Sequence, residues 1–226
     1  MVVTAGVIVA TAGTAAALAA RAPAGPQSST ASLPADGRHA ATLDVVTGTR
    51  MLDVKVANLG GTLLRASAPA GAGAPDVTVS SGRVLLRASS GTHAVTVTLN
   101  KAISWQLDLA GGTERTVADL RGGNVSAVSF TAGSDIIDLT LPRPGAMVPV
   151  RLGAGASQFL VRVPGGFPVR LTAAGGAGEV SVDGAAYTGV GGGSVYETRG
   201  WSAGAHGFDI DATSGAALMS VARWNG

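Results

Sequence analysis

From Ala41 to Val221 the chain is a succession of short apolar–polar alternations interrupted by glycine. Leu43 and Val45 alternate with Thr42 and Asp44, Leu52, Val54 and Val56 with Asp53 and Lys55, and Val95, Val97 and Leu99 with Thr96 and Thr98. Ile103, Trp105, Leu107 and Leu109 alternate with Ser104, Gln106 and Asp108, and Val77 and Val79 follow a GAGAP turn. A period of two sends successive side chains to opposite faces. Each run therefore predicts a strand with one buried and one wetted side, and no stretch of this region reads as an amphipathic helix.

The middle of the chain is more regular. Three apolar triplets, Ile137/Leu139/Leu141, Val148/Val150/Leu152 and Phe159/Val161/Val163, start 11 residues apart, and Val128 and Phe130 lie one step earlier in the same phase. The series loosens at Phe167, Val169 and Leu171 and at Val180 and Val182. Glycine-bearing turns separate the runs: PRPGA at 142–146, GAGAS at 153–157, PGG at 164–166 and AAGGAG at 173–178. Short strands at this spacing predict an all-β domain, either a β-sandwich or a β-solenoid. The constant phase favours a solenoid-like coil (a right-handed β-helix or toast-rack), because like triplets stack and glycine corners let the chain turn tightly.

The alternation fails at 186–205, which reads as a loop. Two final strands follow, at 207–213 and 216–224, and Trp201 and Trp224 read as caps on an end of the core. At the other end, residues 1–20 carry no charge. About 20 apolar residues suffice for a membrane-spanning helix. The segment reads as an apolar helix serving as an anchor or as a secretory signal, cleaved after Ala17-Leu18-Ala19 or Ala22-Pro23-Ala24. Residues 21–40 are rich in Pro, Ser, Gly and Ala and read as a flexible linker. The expected organisation is thus 1–20 signal or anchor, 21–40 linker and 41–226 an all-β domain.

Composition narrows the function classes. Of the 226 residues 34 are glycine, yet no Gly-X-Y period runs through them, so the chain is not collagen-like. Net charge is +2, and 14 of the 16 basic residues are Arg, spread over Arg83, Arg87, Arg151, Arg162 and Arg170 among others. Aromatic residues are only 4%. A nucleic-acid binder would gather its basic residues or interleave them with aromatics, so nucleic acid is not an expected partner. The absence of cysteine removes disulfides, thiolate metal sites and a thiol nucleophile together.

Few residues point to chemistry. Asp209 and Asp211, in FDIDA, share a strand face and have the spacing to share a calcium ion, but no third acidic ligand is near in sequence. Asp135 and Asp138 are three apart and face opposite ways on a strand. The only histidines, His39, His93 and His206, lack the spacing of a metal pair. The G-x-S-x-G form occurs once, as GWSAG at 200–204, in the stretch that reads as a loop rather than on the strand-to-helix elbow that nucleophilic catalysis uses. GAGAS at 153–157 precedes a strand rather than a helix, so it is no phosphate loop. Arg151, Arg162 and Arg170 share a phase on successive strands and predict either an exposed ladder able to hold an anionic polymer or a solvated outer face. No catalytic, cofactor-binding or metal-binding residue is assigned, and no cofactor is expected.

ISWQLDLAGG at 103–112, DLRGGNVS at 119–126, LTLPRPGAMVPVRLGAGASQFLVRVPGGFPVRL at 139–171 and GWSAG…FDIDATSGAALMSV towards the C-terminus together resemble a family. It is the bacterial adhesin-type, or toast-rack, β-domain, similar to the C-terminal domain of envelope-stress regulators that respond to cell-wall antibiotics. The resemblance covers a little over half the chain and rests on LP-x-P-G, VPV-R-L and V-P-x-G-F. It implies a solenoid-like β-domain displayed at the cell envelope and brings no catalytic residues. The expected function is a non-enzymatic, exported or membrane-anchored envelope protein that is structural or binds a cell-wall polymer or another envelope protein. The alternatives are a glycan-active enzyme on the same scaffold, marked by three or more carboxylates in one groove, and an accessory protein of envelope-stress signalling.

Overall fold

The computed structural model describes residues 28–89 and 92–225. Over these residues the chain is all-β and forms two mixed sheets that lie face to face, neither closed into a barrel. The apolar stretch 1–20 lies outside them. No helix among the described residues is long and apolar enough to cross a membrane.

The strands are β1 (Ser29–Pro34), β2 (Ala40–Val45), β3 (Thr49–Ala57), β4 (Thr62–Ala68), β5 (Asp76–Ser80), β6 (Arg83–Arg87), β7 (Ala94–Asn100), β8 (Ser104–Leu109), β9 (Thr113–Asp119) and β10 (Asn124–Phe130). There follow β11 (Ser134–Thr140), β12 (Met147–Leu152), β13 (Ala156–Pro164), β14 (Val169–Ala173), β15 (Ala177–Val182), β16 (Ala185–Val190), β17 (Ser194–Glu197), β18 (Gly207–Ala212) and β19 (Ala216–Trp224). The ten-stranded sheet A runs β1-β4-β7-β3-β9-β11-β13-β19-β15-β16, and the nine-stranded sheet B runs β17-β14-β18-β12-β10-β8-β2-β6-β5.

Through the body of the molecule the chain passes from a strand of sheet B to the next strand in sequence in sheet A, and like strands pair in parallel. The 11-residue step of the apolar triplets is therefore the step between sheets: Ile137 lies in sheet A, Val148 in sheet B and Phe159 in sheet A. Two such steps bring the chain back to the same sheet, where Val128 pairs with Val150 and Ile137 with Phe159. The alternation survives in the burial: β8 buries Trp105, Leu107 and Leu109 and turns Ser104, Gln106 and Asp108 outward. Phe130 of sheet B and Phe159 of sheet A meet edge to face across the core, with ring centroids 6.0 Å apart. A buried polar plug closes one end. Asn100 Nδ2 donates to the carbonyls of Gly60 and Thr62 at 2.8 and 2.7 Å, and the Trp105 indole donates to the Asn100 carbonyl at 3.0 Å.

The stacking is not serial. The pair β2/β3 lies between β6/β7 and β8/β9, and β18/β19 lies between β12/β13 and β14/β15. Both end pairs are thus formed by excursions of the chain, and a later or earlier pair is tucked beneath each. Antiparallel strands then finish the sheets: β4 and β1 beyond β7, β5 beyond β6, β16 beyond β15, and β17 beyond β14.

Three expectations change. The stretch read as a flexible linker supplies β1, which pairs with β4 from Ser29 to Pro34. The 186–205 loop supplies most of β16 and all of β17. Trp201 does not cap the core. It lies 5.0 Å from the Arg170 guanidinium, on the outer side of sheet B, while Trp224 donates its indole N–H to the Leu141 carbonyl at 3.0 Å.

Candidate functional site

Six of the passages from sheet B to sheet A are three-residue corners that end in glycine: Gly48, Gly112, Gly133, Gly155, Gly176 and Gly215. These corners stack along one edge of the molecule. Thr49 N donates to Gly112 O at 3.2 Å, Thr113 N to Gly133 O at 3.2 Å, Ser134 N to Gly155 O at 3.3 Å and Ala156 N to Gly215 O at 3.4 Å. Neighbouring turns approach closely here, and a Cβ on Gly48 would sit 2.7 Å from Gly112 O. At Gly48, Gly111 and Gly175 backbone packs directly on backbone and leaves no room for a Cβ.

The result is a shallow groove with a floor of glycine backbone. Its two adjoining sections, of about 780 and 520 Å³, share Thr113, Gly133 and Asp135. Hydroxyl groups line it: Thr113 Oγ1 is 2.9 Å from Ser134 Oγ and 2.8 Å from Thr116 Oγ1. The larger section holds one ionisable side chain, Asp135. Arg50, His93 and Glu114 join it on the rim of the smaller one, where Arg50 Nε donates to Glu114 at 2.9 Å. The groove thus carries backbone and hydroxyl groups along a line and little charge.

Most carboxylates outside the groove are tied to arginines. Asp209 accepts a bidentate pair from Arg170, Nε at 3.0 Å and Nη2 at 2.8 Å. Asp183 accepts another from Arg223, and Asp119 a third from Arg121. Asp138 bonds Arg162. Arg83 bridges Asp44, at 2.6 Å, and Asp108, which stand side by side on β2 and β8. The Asp44 and Asp209 bonds hold the Arg83 and Arg170 guanidiniums further above their ordinary range. The Arg121 hydrogen bonds hold the Asp119 carboxyl below its ordinary range against the opposing effect of burial.

The residues singled out in the sequence therefore separate. Asp209 is engaged by Arg170, and Asp211 lies in register with Arg151 and Thr172. Asp135 lines the groove while Asp138 faces outward, as their spacing requires. His39, His93 and His206 are all exposed, and only His93 lies on the groove. Arg151 and Arg170 flank β18 in sheet B, but Arg162 is in sheet A, so the three form no ladder. The shared phase was real, but successive strands belong to opposite sheets. GAGAS at 153–157 is a corner of the groove. Among the described residues no group of three or more His, Asp or Glu has the placement to hold a metal ion. The groove itself was missed, although its signal is in the sequence: Gly112, Gly133, Gly155 and Gly176 recur 21 or 22 residues apart, each just before a strand.

No protein-family model matches the chain, and no curated protein matches it. The family suggested by residues 103–222 thus has no matching model behind it. Among solved structures, the chain is similar to a "putative cell adhesion protein" from Clostridium sporogenes, with a TM-score of 0.54 and 16% identity, over 87% of this chain and 99% of that one. At that identity the likeness is one of fold: the two-sheet arrangement is shared by another protein over nearly its whole length.

Proposed function

We propose that this chain is a non-catalytic, adhesin-like binding module of the bacterial cell envelope, built as a β-solenoid of the toast-rack type. Residues 1–20 carry it out of the cytoplasm as anchor or signal. The observation that carries this reading is the corner groove, a long line of backbone and hydroxyl groups with a single carboxylate in its larger section. Opposed carboxylates at a shared centre would favour glycan hydrolysis, but here acids such as Asp138 and Asp209 are separated over the two outer faces and neutralised by arginines. The fold shared with the "putative cell adhesion protein" supports the same reading.

The test is retention of the full chain on purified cell-wall fractions, with mass spectrometry of the mature amino terminus from fractionated cells. Retention above an unrelated β-domain, with the protein in the envelope fraction, is the expected result. Uncleaved chain in the soluble cytosol, or retention no greater than the control, refutes the proposal.

A further inference from the structure

Each sheet ends in two edge strands, β1 and β16 in sheet A and β5 and β17 in sheet B. An edge strand offers unpaired backbone groups to another chain, and most proteins blunt it with charge, proline or a bulge. Three of these four are blunted. β1 ends in Pro34 after a register shift at Leu33/Pro34, β5 carries Asp76, and the four-residue β17 carries Glu197. β16, AAYTGV, has no charge, no proline and no register shift, and Ala185 to Gly189 are all exposed.

The hairpin of β15 and β16 determines which backbone groups of β16 are free. Its two-residue turn, Asp183-Gly184, has φ of 51° and 89°, the left-handed pair of a tight primed turn. The flanking Val182 and Ala185 are then a hydrogen-bonded pair, and by alternation Val180 and Tyr187 are the next. Asp183 N donates to Val221 O at 3.0 Å, away from β16, which gives the same alternation from the other side of β15. Ala185 and Tyr187 therefore direct their N–H and C=O groups at β15. Ala186 and Thr188 turn theirs to the open edge, where no described residue bonds them. Gly189, with φ of 62°, bends the strand beyond Thr188.

Tyr187 is the residue between these two. It stands opposite buried Val180, so its ring lies on the inner side of sheet A. There it meets Tyr196 of β17, which packs against the core, with centroids 4.8 Å apart. Tyr187 itself is 46% exposed. The apolar interior thus runs out at a ring that the chain leaves half covered, on the one edge that is not blunted.

A second copy of the same edge completes both features. Two β16 strands related by a two-fold axis run antiparallel. With the axis between the two Tyr187 residues, Ala186 of each copy stands opposite Thr188 of the other, so every free group of the two residues finds a free partner. Centred on Ala186 or Thr188 instead, the edge would pair only one of its two free residues with a free residue of the other copy. Tyr187 then faces its own counterpart as the non-hydrogen-bonded pair, in which side chains come closest, and an aromatic pair at such a position is favourable. Ala185 meets Gly189, so no charge opposes a like charge. The axis is perpendicular to sheet A, which keeps the inner sides of both copies on one side and continues the apolar layer from one to the other.

We propose that β16 is a docking edge for a second copy of this chain, joined through antiparallel β16 strands centred on Tyr187. The proposal goes beyond the adhesin-like reading above and does not depend on it.

The test is sedimentation velocity of the full chain from about 5 μM to about 1 mM. An interface of one strand edge and one ring pair is small, so a monomer–dimer equilibrium with a Kd on the order of 100 μM is expected. Tyr187→Lys, an inward charge on the edge, should weaken it by about tenfold or more, and Tyr187→Phe, which keeps the ring, by less than about threefold. The chain has no cysteine, so the register can be read directly. Tyr187→Cys should form a disulfide-linked dimer under mild oxidation, because Cα atoms of a non-hydrogen-bonded pair lie about 4.5 Å apart. Ala185→Cys, about 14 Å from its counterpart, should do so at least about tenfold more slowly. This comparison decides the matter should Tyr187→Lys misfold. A monomer over the whole range, whether or not another protein's strand binds there, overturns the proposal. So does association undiminished in folded Tyr187→Lys, or equal cross-linking at the two positions.

Discussion

A Cβ on Gly111 would lie 2.3 Å from the Thr47 carbonyl oxygen, a contact between two backbones that no rotamer change relieves. Gly145 has nothing within 4 Å of the same position. Gly111→Ala should therefore destabilise the protein by about 1–3 kcal/mol, as overpacking does, while Gly145→Ala should change stability by less than about 0.5 kcal/mol. Urea midpoints of the two variants check this, and equal midpoints would show that the corners do not pack as closely as described. Charge acts at the same scale. Asp119 accepts from Arg121 Nε, Nη2 and backbone N, and these bonds hold its folded pKa below the unfolded one. A depressed carboxyl contributes stability above its unfolded pKa and loses it as pH falls through the folded value. Asp119→Asn should be less stable than the parent near about pH 7, and the gap should close in acid below the ordinary aspartate range of about 4. Denaturation at the two pH values measures it, and a gap independent of pH would contradict the assignment.

At the scale of elements, the tucked strand pairs have a mechanical consequence. In a serial coil the last turn touches one neighbour, and its loss leaves the rest nearly intact. Here β18 pairs with both β12 and β14, and β19 with both β13 and β15. Removing Gly207 onward would strip the middle of the stack at that end and leave four unpaired strand edges, a template for aggregation. Chain shortened to residue 206 should lose cooperative unfolding and appear in the insoluble fraction. A soluble fragment with an unchanged transition would disprove the interlock. Which strands were legible follows from what they bury. β7, β8 and β10–β14 were plain because large apolar residues alternate along them. β9 was not, because its inward positions are Thr116 and Ala118, and the hydroxyl of Thr116 is satisfied by Thr113. β4 hides its alternation behind Leu63-Leu64, both buried. β16 and β17 bury so little that no apolar pattern was needed, and AAYTGV and SVYE read as loop.

At the scale of the molecule, the candidate site is a product of assembly. The corner groove collects one glycine from each of six separated corners, and at one end of the two sheets Tyr187 meets Tyr196. The outer faces collect arginine–carboxylate pairs between residues such as Arg170 and Asp209, 39 positions apart. The sequence by itself determined that the region from Ala41 to Val221 is all-β, which residues of most strands face the core, and where the glycine turns fall. Those are local properties, written in the two-residue period of the pleat and in the backbone freedom of glycine. Only the tertiary structure decided the order of the strand pairs, the split of the 11-residue repeat between two sheets, and the convergence of the tyrosines. Near-identical apolar triplets stack almost equally well on any of their fellows. The choice of neighbour depends on how the excursions and edge strands at both ends pack, and no short window of the chain contains that information.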